Sequence, residues 1–237
     1  MKIVVCLKQV PDTADLRIDP ETNTLIREGV ESVLNPLDEF PLEAALRLRD
    51  NLGAQVTAIT MGPPQAAAVL RKALAMGADE ALLLSDRAFA GADTWATSPT
   101  LARAVAKIGD VDLVLCGKQA IDGDTAQVGP GIAAHLNIGQ ATYVTRVIEL
   151  AAAAVTVERL LDHGTATQRL ALPAVITVLK EANEPRLPGL GQRIRALNAT
   201  IPVWGASDLD LPADSVGLEG SPTRVIRIAA PESGRRH

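Results

Sequence analysis

Short runs of β-branched and aliphatic residues, separated by helix-length segments, constrain this chain more than any other feature. Ile3 to Leu7 reads as a buried strand, followed by Gln55 to Met61, Glu80 to Leu84 and Val111 to Cys116. Between them Leu42, Ala45, Leu46 and Arg49 recur at helical spacing. Ala66 to Met76 and Thr100 to Ile108 predict two further helices, rich in Ala and Leu. Strands joined by helices of this length are parallel, with right-handed crossovers. They do not alternate apolar with polar residues, so both faces of the sheet are covered. The expected fold class is α/β, a doubly wound and mostly parallel sheet.

The pattern changes after residue 140. Tyr143 to Leu150, Val155 to Leu161, Thr165 to Leu170 and Val175 to Leu179 are strand-like, and their short connections favour antiparallel hairpins. After Lys180, Pro185, Pro188, Gly189, Gly191, Pro202, Pro212 and Pro222 interrupt any regular element. So long a segment without a core makes sense as an extended C-terminal arm laid on another chain.

Composition narrows the function classes. A chain of 237 residues with 47% hydrophobic and 22% charged residues can fill a core and wet a surface, which excludes disorder. Aromatic residues make up only 2%: Phe40, Phe89, Trp95, Tyr143 and Trp204. The core must therefore be aliphatic, and stacking platforms for single-stranded nucleic acid are not expected. The net charge of −5 gives no global field for polyanions. The apolar run between Lys2 and Lys8 is too short for a signal peptide, and no run reaches membrane-spanning length. Cys6 and Cys116 lie far apart in sequence and form no CxxC motif. The chain reads as soluble and cytoplasmic, with reduced thiols, no nucleic-acid partner and no membrane insertion.

The strongest local signal runs from Cys116 to Gly131 (CGKQAIDGDTAQVGPG), where a buried strand passes into the helical pattern Ile132 to Leu136. Gly123, Gly129 and Gly131 let a backbone approach a ligand closely, and Thr125 can cap a helix whose first amides suit a phosphate. The spacing fits neither the Walker loop nor GxGxxG. A glycine-rich turn with an ordinary cap would look the same. Asp122 and Asp124 complicate phosphate binding, since carboxylates repel it. They could instead cap amides, accept from ribose hydroxyls, meet a partner's cation, or simply be solvated.

Cys6-Leu7-Lys8-Gln9 ends the first strand as Cys116-Gly117-Lys118-Gln119 ends the fourth. In a doubly wound sheet these strands flank the topological switch point, where ligands bind outside the carboxyl ends. Asn35-Pro36-Leu37-Asp38 enters the helix from Glu39, with Asp38 as a plausible N-cap, and Thr60-Met61-Gly62-Pro63 closes the second strand. All these loops fall on one sheet edge. His135, His163 and His237 share no ligand spacing with carboxylates or cysteines, and no GxSxG occurs. No catalytic residue and no metal ligand is expected.

On these residues the chain resembles the β subunit of electron-transfer flavoproteins. The matching segments are Val4 to Thr13 (VVCLKQVPDT), Asn35-Pro36, Ala73 to Asp79 (ALAMGAD), Gly117 to Pro130, Leu172 to Val175, and Asn183-Glu184-Pro185-Arg186. They run in family order over nearly the whole chain. The resemblance implies an electron carrier that pairs with an α subunit holding one FAD. The β subunit would hold a second nucleotide, FAD or AMP. Its contacts would be Cys6, Asn35, Pro36, Leu37, Asp38, Met61, and the run Asp122, Gly123, Asp124, Thr125, Ala126, Gln127, Val128, Gly129, Pro130, Gly131, Ile132 and Ala133. The Asp122 to Pro130 stretch resembles the bifurcating, anaerobic-type version, which favours FAD. Such a subunit would exchange electrons with NADH, with ferredoxin or flavodoxin, or with a redox protein of the acyl-CoA dehydrogenase type. Docking would fall at Glu184, Pro185, Arg186 and Leu190, with Leu190 as the anchor; a core contact is the plainer reading of that leucine. The chain ends soon after Arg224-Val225-Ile226-Arg227-Ile228, without the longer C-terminal helix of some relatives. The expected division is a nucleotide-binding α/β domain over 1–179 and a docking loop with a C-terminal arm over 180–237, packing on the partner subunit. The competing reading is a stand-alone adenine-nucleotide-binding stress or signalling module that forms a homodimer. Whether Cys6 and Cys116 do more than pack is open, with buried structural thiols as the default.

Overall fold

The computed structural model describes residues 1–12 and 32–226, together with the backbone of 17–18 and 25–26. Thr13 of the opening motif, Arg227, Ile228 and His237 lie outside the described residues. The chain opens with β1 (Lys2–Leu7) and β2 (Gln9–Pro11), then a small pair, β3 (Arg17–Ile18) with β4 (Leu25–Ile26), and β5 (Ser32–Leu34), which returns antiparallel to β2. Next come α1 (Glu39–Leu52), β6 (Gln55–Met61), α2 (Ala67–Met76), β7 (Glu80–Leu84), α3 (Thr94–Ile108), β8 (Leu113–Gly117) and α4 (Val128–Leu136). A meander of β9 (Gly139–Leu150), β10 (Ala154–Leu161) and β11 (Gly164–Ala171) precedes β12 (Ala174–Val178), α5 (Leu190–Asn198) and β13 (Val203–Trp204).

The main sheet has nine strands in the order β11-β10-β9-β12-β8-β1-β6-β7-β13. From β9 to β13 every pairing is parallel, and β10 runs antiparallel to both β9 and β11. Alternate residues of each central strand feed two separate cores. Ile3, Val5 and Leu7 pack with Leu42 and Leu46 of α1 and Leu70 and Ala73 of α2. Val4 and Cys6 pack with Leu101 and Val105 of α3 and Ile132 of α4. The doubly wound reading holds, and so does the aliphatic core: of the five aromatic residues only Phe89 is buried.

Three expectations change. β12 is no hairpin arm; it inserts between β8 and β9, parallel to both. All five of its residues, AVITV, are buried, so it belongs in the sheet centre, where both faces are covered. β11 alternates and stays at the edge. Second, α3 starts at Thr94 rather than Thr100, with Pro99 inside it. Asp93 caps it, its Oδ1 accepting the N–H groups of Trp95 (2.9 Å) and Ala96 (3.1 Å), and this cap offsets the bond that proline cannot make. Third, the segment after Lys180 is partly regular. α5 lies on α2, where Arg71 Nη1 donates to the carbonyls of Ala196, Leu197 and Ala199 at 2.8–3.1 Å, and β13 extends the sheet beside β7. Leu209 and Val216 are buried in the α3 core.

Candidate functional site

The chain runs β1, β6, β7 to one side of the sheet and then crosses to β8 on the other side of β1. The switch point is therefore the β1–β8 pair, with Cys6 directly beside Cys116. Their side chains sit under α3 and α4, buried at the floor of the crevice. Contact with Cys6 and burial both push the Cys116 thiol well above its ordinary value, so it stays protonated and inert.

Asn35 ties the loops of this edge together. It is fully buried; its N–H donates to the Lys8 carbonyl (2.9 Å) and its Nδ2 to the Gln119 carbonyl (3.0 Å), while its Oδ1 accepts the Ile121 N–H (3.2 Å). Beside it Asp38 Oδ2 accepts the Lys8 N–H at 2.8 Å. Burial pushes the Asp38 carboxyl up to about 7, against the opposing pull of hydrogen bonds from Asn35, Lys8 and Gly117. Asp38 precedes α1, yet its side chain caps no amide there. It turns inward because the ends of β1 and β8 offer it buried N–H donors. Pro36 and Leu37 complete the short turn that delivers it.

Residues 118–127 lie over this floor. Gly123 has no heavy atom within 4 Å of where a Cβ would stand, so it faces open space. Asp124 (φ +53°) and Ala126 (φ +55°) occupy the left-handed region, which costs each about 1–2 kcal/mol. Both carboxylates are engaged within the chain. Lys8 Nζ reaches the two oxygens of Asp122 at 2.7 and 2.9 Å, and the Gln119 amide donates to Asp124. The Lys8 ammonium offsets the charge of Asp122 toward a phosphate, whereas the neutral Gln119 amide leaves that of Asp124 in place.

α4 begins two residues later than a Thr125 cap would require. Gln127 occupies the cap position and spends its side chain on the Thr94 hydroxyl, at 2.7 Å, instead of on the helix. The N–H groups of Val128 and Gly129 consequently have no acceptor among the described residues, and Pro130 has no N–H to satisfy. Gly129 and Gly131 are explained by packing inside the chain. A Cβ on Gly129 would lie 2.6 Å from the Thr177 methyl, and one on Gly131 2.6 Å from Ser98 Cβ. Ile132 and Ala133 turn their side chains into the core. Met61 ends β6 at the same edge, after Thr60, whose buried hydroxyl has no hydrogen-bond partner among the described residues.

This edge offers donors to a phosphate. The free amides of Val128 and Gly129 and the positive end of α4 suit a phosphate, and the open face of Gly123 leaves room for it. Of the docking candidates, Glu184 and Arg186 lie on α1, whereas Leu190 opens α5, which packs on α2. Arg186 clamps Glu43 (2.8 Å) and Asp50 (2.8 Å), and the Glu184 carbonyl accepts from Arg47 (3.2 Å). Burial pushes Glu43 up, but hydrogen bonds from Arg186 and Arg47 outweigh it and hold the carboxyl below its ordinary range. Pro185 is half-buried in this stretch, whereas Leu190, at the start of α5, is 76% exposed. The plainer reading of Leu190 as a core contact is thus overturned.

Fold and site together define a doubly wound α/β protein whose ligand crevice opens where the strand order reverses. Comparison with known proteins takes the assignment further: the family described as the electron transfer flavoprotein domain matches residues 22–209. The chain belongs to the electron transfer flavoprotein family, in its β-subunit branch. It is 50% identical to the electron transfer flavoprotein subunit beta of Thermoanaerobacterium thermosaccharolyticum, over 99% of this chain and 90% of the relative. It is 51% identical to the caffeyl-CoA reductase-Etf complex subunit CarD of Acetobacterium woodii, covering 98% and 88%. Protein FixA of Azorhizobium caulinodans is 50% identical, covering 98% and 85%. Among the described residues no helix is long and apolar enough to cross a membrane.

Proposed function

We propose that this chain is the β subunit of a heterodimeric electron carrier and holds FAD, rather than AMP, at its β1–β8 edge, facing an α subunit that carries a second FAD. The observation that carries this reading is the pair of unpartnered amides, Val128 and Gly129, opening α4 beside the unobstructed face of Gly123. Bound there, FAD would supply hydride acceptance from NADH and single-electron delivery to ferredoxin or flavodoxin and to the α-subunit flavin. This chain's own work is positional. Asn35 and Asp38 hold the loops, α4 receives the phosphates, and Lys8 offsets the charge of Asp122 at the crevice. FAD is favoured by the likeness of Asp122 to Pro130 to the bifurcating-type version. The CarD relative, named as part of a caffeyl-CoA reductase complex, is consistent with that choice.

Leu190 would anchor a dehydrogenase-type partner, while the segment after Lys180 also meets the α subunit. The test is to co-purify both subunits, release their nucleotides and count them. Two flavins per heterodimer are expected. One flavin plus one AMP overturns the FAD assignment and bifurcation with it. A stable nucleotide-bound homodimer that needs no α subunit overturns the whole reading in favour of a stand-alone nucleotide-binding module.

A further inference from the structure

Tyr143, the one tyrosine of the chain, stands where a large side chain resists standing. Its φ is +58° inside β9, a conformation that costs a bulky residue about 1–2 kcal/mol. The cause is a bulge between parallel strands. Ala141 faces Ile176 and Val144 faces Val178, so Thr142 and Tyr143 together oppose Thr177. Bulges re-aim side chains and gather beside functional sites. This one is locked from the far side: Thr177 Oγ1 accepts the Tyr143 N–H at 3.1 Å, while its methyl packs against Gly129 in the first turn of α4.

The ring is aimed at Lys118, whose Nζ lies 5.6 Å from its centroid. The Lys118 N–H donates to the Val178 carbonyl at 3.2 Å, which fixes its backbone to β12, the strand of Thr177. The lysine is half-buried and enters no ion pair among the described residues, whereas Lys8 and Lys72 each pair with a carboxylate. A partly desolvated ammonium without a counter-charge is unfavourable unless an anion arrives. Thr177 links the bulge to the first turn of α4, whose free Val128 and Gly129 amides favour the same anion, and Asp122 is already paired with Lys8.

We propose that Lys118 is a phosphate contact of the bound nucleotide and that Tyr143, turned by the bulge, is the residue that positions it. The inference rests on the nucleotide reading above and adds a specific cation to it. The test uses the αβ heterodimer freed of the β-site nucleotide, titrated by calorimetry with AMP and, separately, with adenosine. Lys118→Met is expected to weaken AMP about 10- to 100-fold, as for a lost charge-assisted hydrogen bond, and to leave adenosine within about twofold. Lys118→Arg should retain most of the preference for AMP. Tyr143→Phe keeps the ring and should behave as wild type, while Tyr143→Leu should lose about two- to fivefold for AMP alone. If Tyr143→Leu fails to fold, the two Lys118 variants carry the test. Equal losses for both ligands, or unchanged AMP affinity in Lys118→Met, would overturn the proposal and leave the nucleotide reading standing. A wild-type heterodimer that binds neither ligand would sink both.

Discussion

A Cβ at position 117 would press on Asp38 Oδ1 and lie 2.9 Å from the Leu37 carbonyl oxygen, so only glycine lets the end of β8 close on the Asn35 to Asp38 loop. Gly117→Ala should cost about 1–3 kcal/mol by overpacking, measurable as a lower denaturation midpoint with reduced nucleotide retention. Asp38 itself makes stability depend on pH. Its folded-state pKa of about 7 lies above the ordinary 3.8, so the folded chain holds a proton that the unfolded chain releases. The contribution is full below about pH 4 and is lost as pH rises towards 7, at up to about 1.4 kcal/mol per pH unit. Stability of the wild type minus that of Asp38→Asn, followed by denaturant titration between pH 4 and 8, should show this slope; a flat difference would refute it. In the sequence Asp38 looks like an N-cap, because nothing local tells that Lys8 and Gly117 will offer it buried amides.

Single side chains also set where elements begin and how the distal segment is tethered. Asp93 caps α3 through one oxygen and takes the Thr223 N–H (3.1 Å) and hydroxyl (2.6 Å) on the other. Asp93→Ala should therefore cost about 1 kcal/mol and also speed proteolysis near Thr223, two effects read separately by denaturation and by limited digestion. Helical and strand periods were legible for β1, β6, β7 and α2, whose apolar patterns are uninterrupted. The start of α3 was hidden by Pro99, since a proline signals a boundary unless a cap upstream overrides it. The place of β12 was hidden too. Short connections suggest a hairpin, but a strand whose residues can all be buried gains more by entering the sheet centre.

Across the whole molecule the crevice and the docking stretch are built from different residues, which allows them to be tested apart. Leu190→Ala removes an exposed side chain, so stability should stay within about 0.5 kcal/mol and nucleotide content should not change. Electron transfer to a dehydrogenase-type partner should fall about tenfold or more, as for a small interface hot spot; an unchanged rate with partner present would exclude Leu190 as the anchor. Hydrophobic periodicity, strand composition and the matching ends of β1 and β8 let the amino-acid sequence by itself determine the doubly wound sheet and the edge at which its loops gather. Those signals are local, and hydrophobic burial makes them dominate the choice of secondary structure. Only the tertiary structure decided that Lys8 pairs with Asp122, that Gln127 rather than Thr125 stands at the start of α4, and that a bulge turns Tyr143 onto Lys118. Each of those outcomes depends on groups brought together from distant parts of the chain, where burial and hydrogen-bond geometry, not periodicity, set the energy.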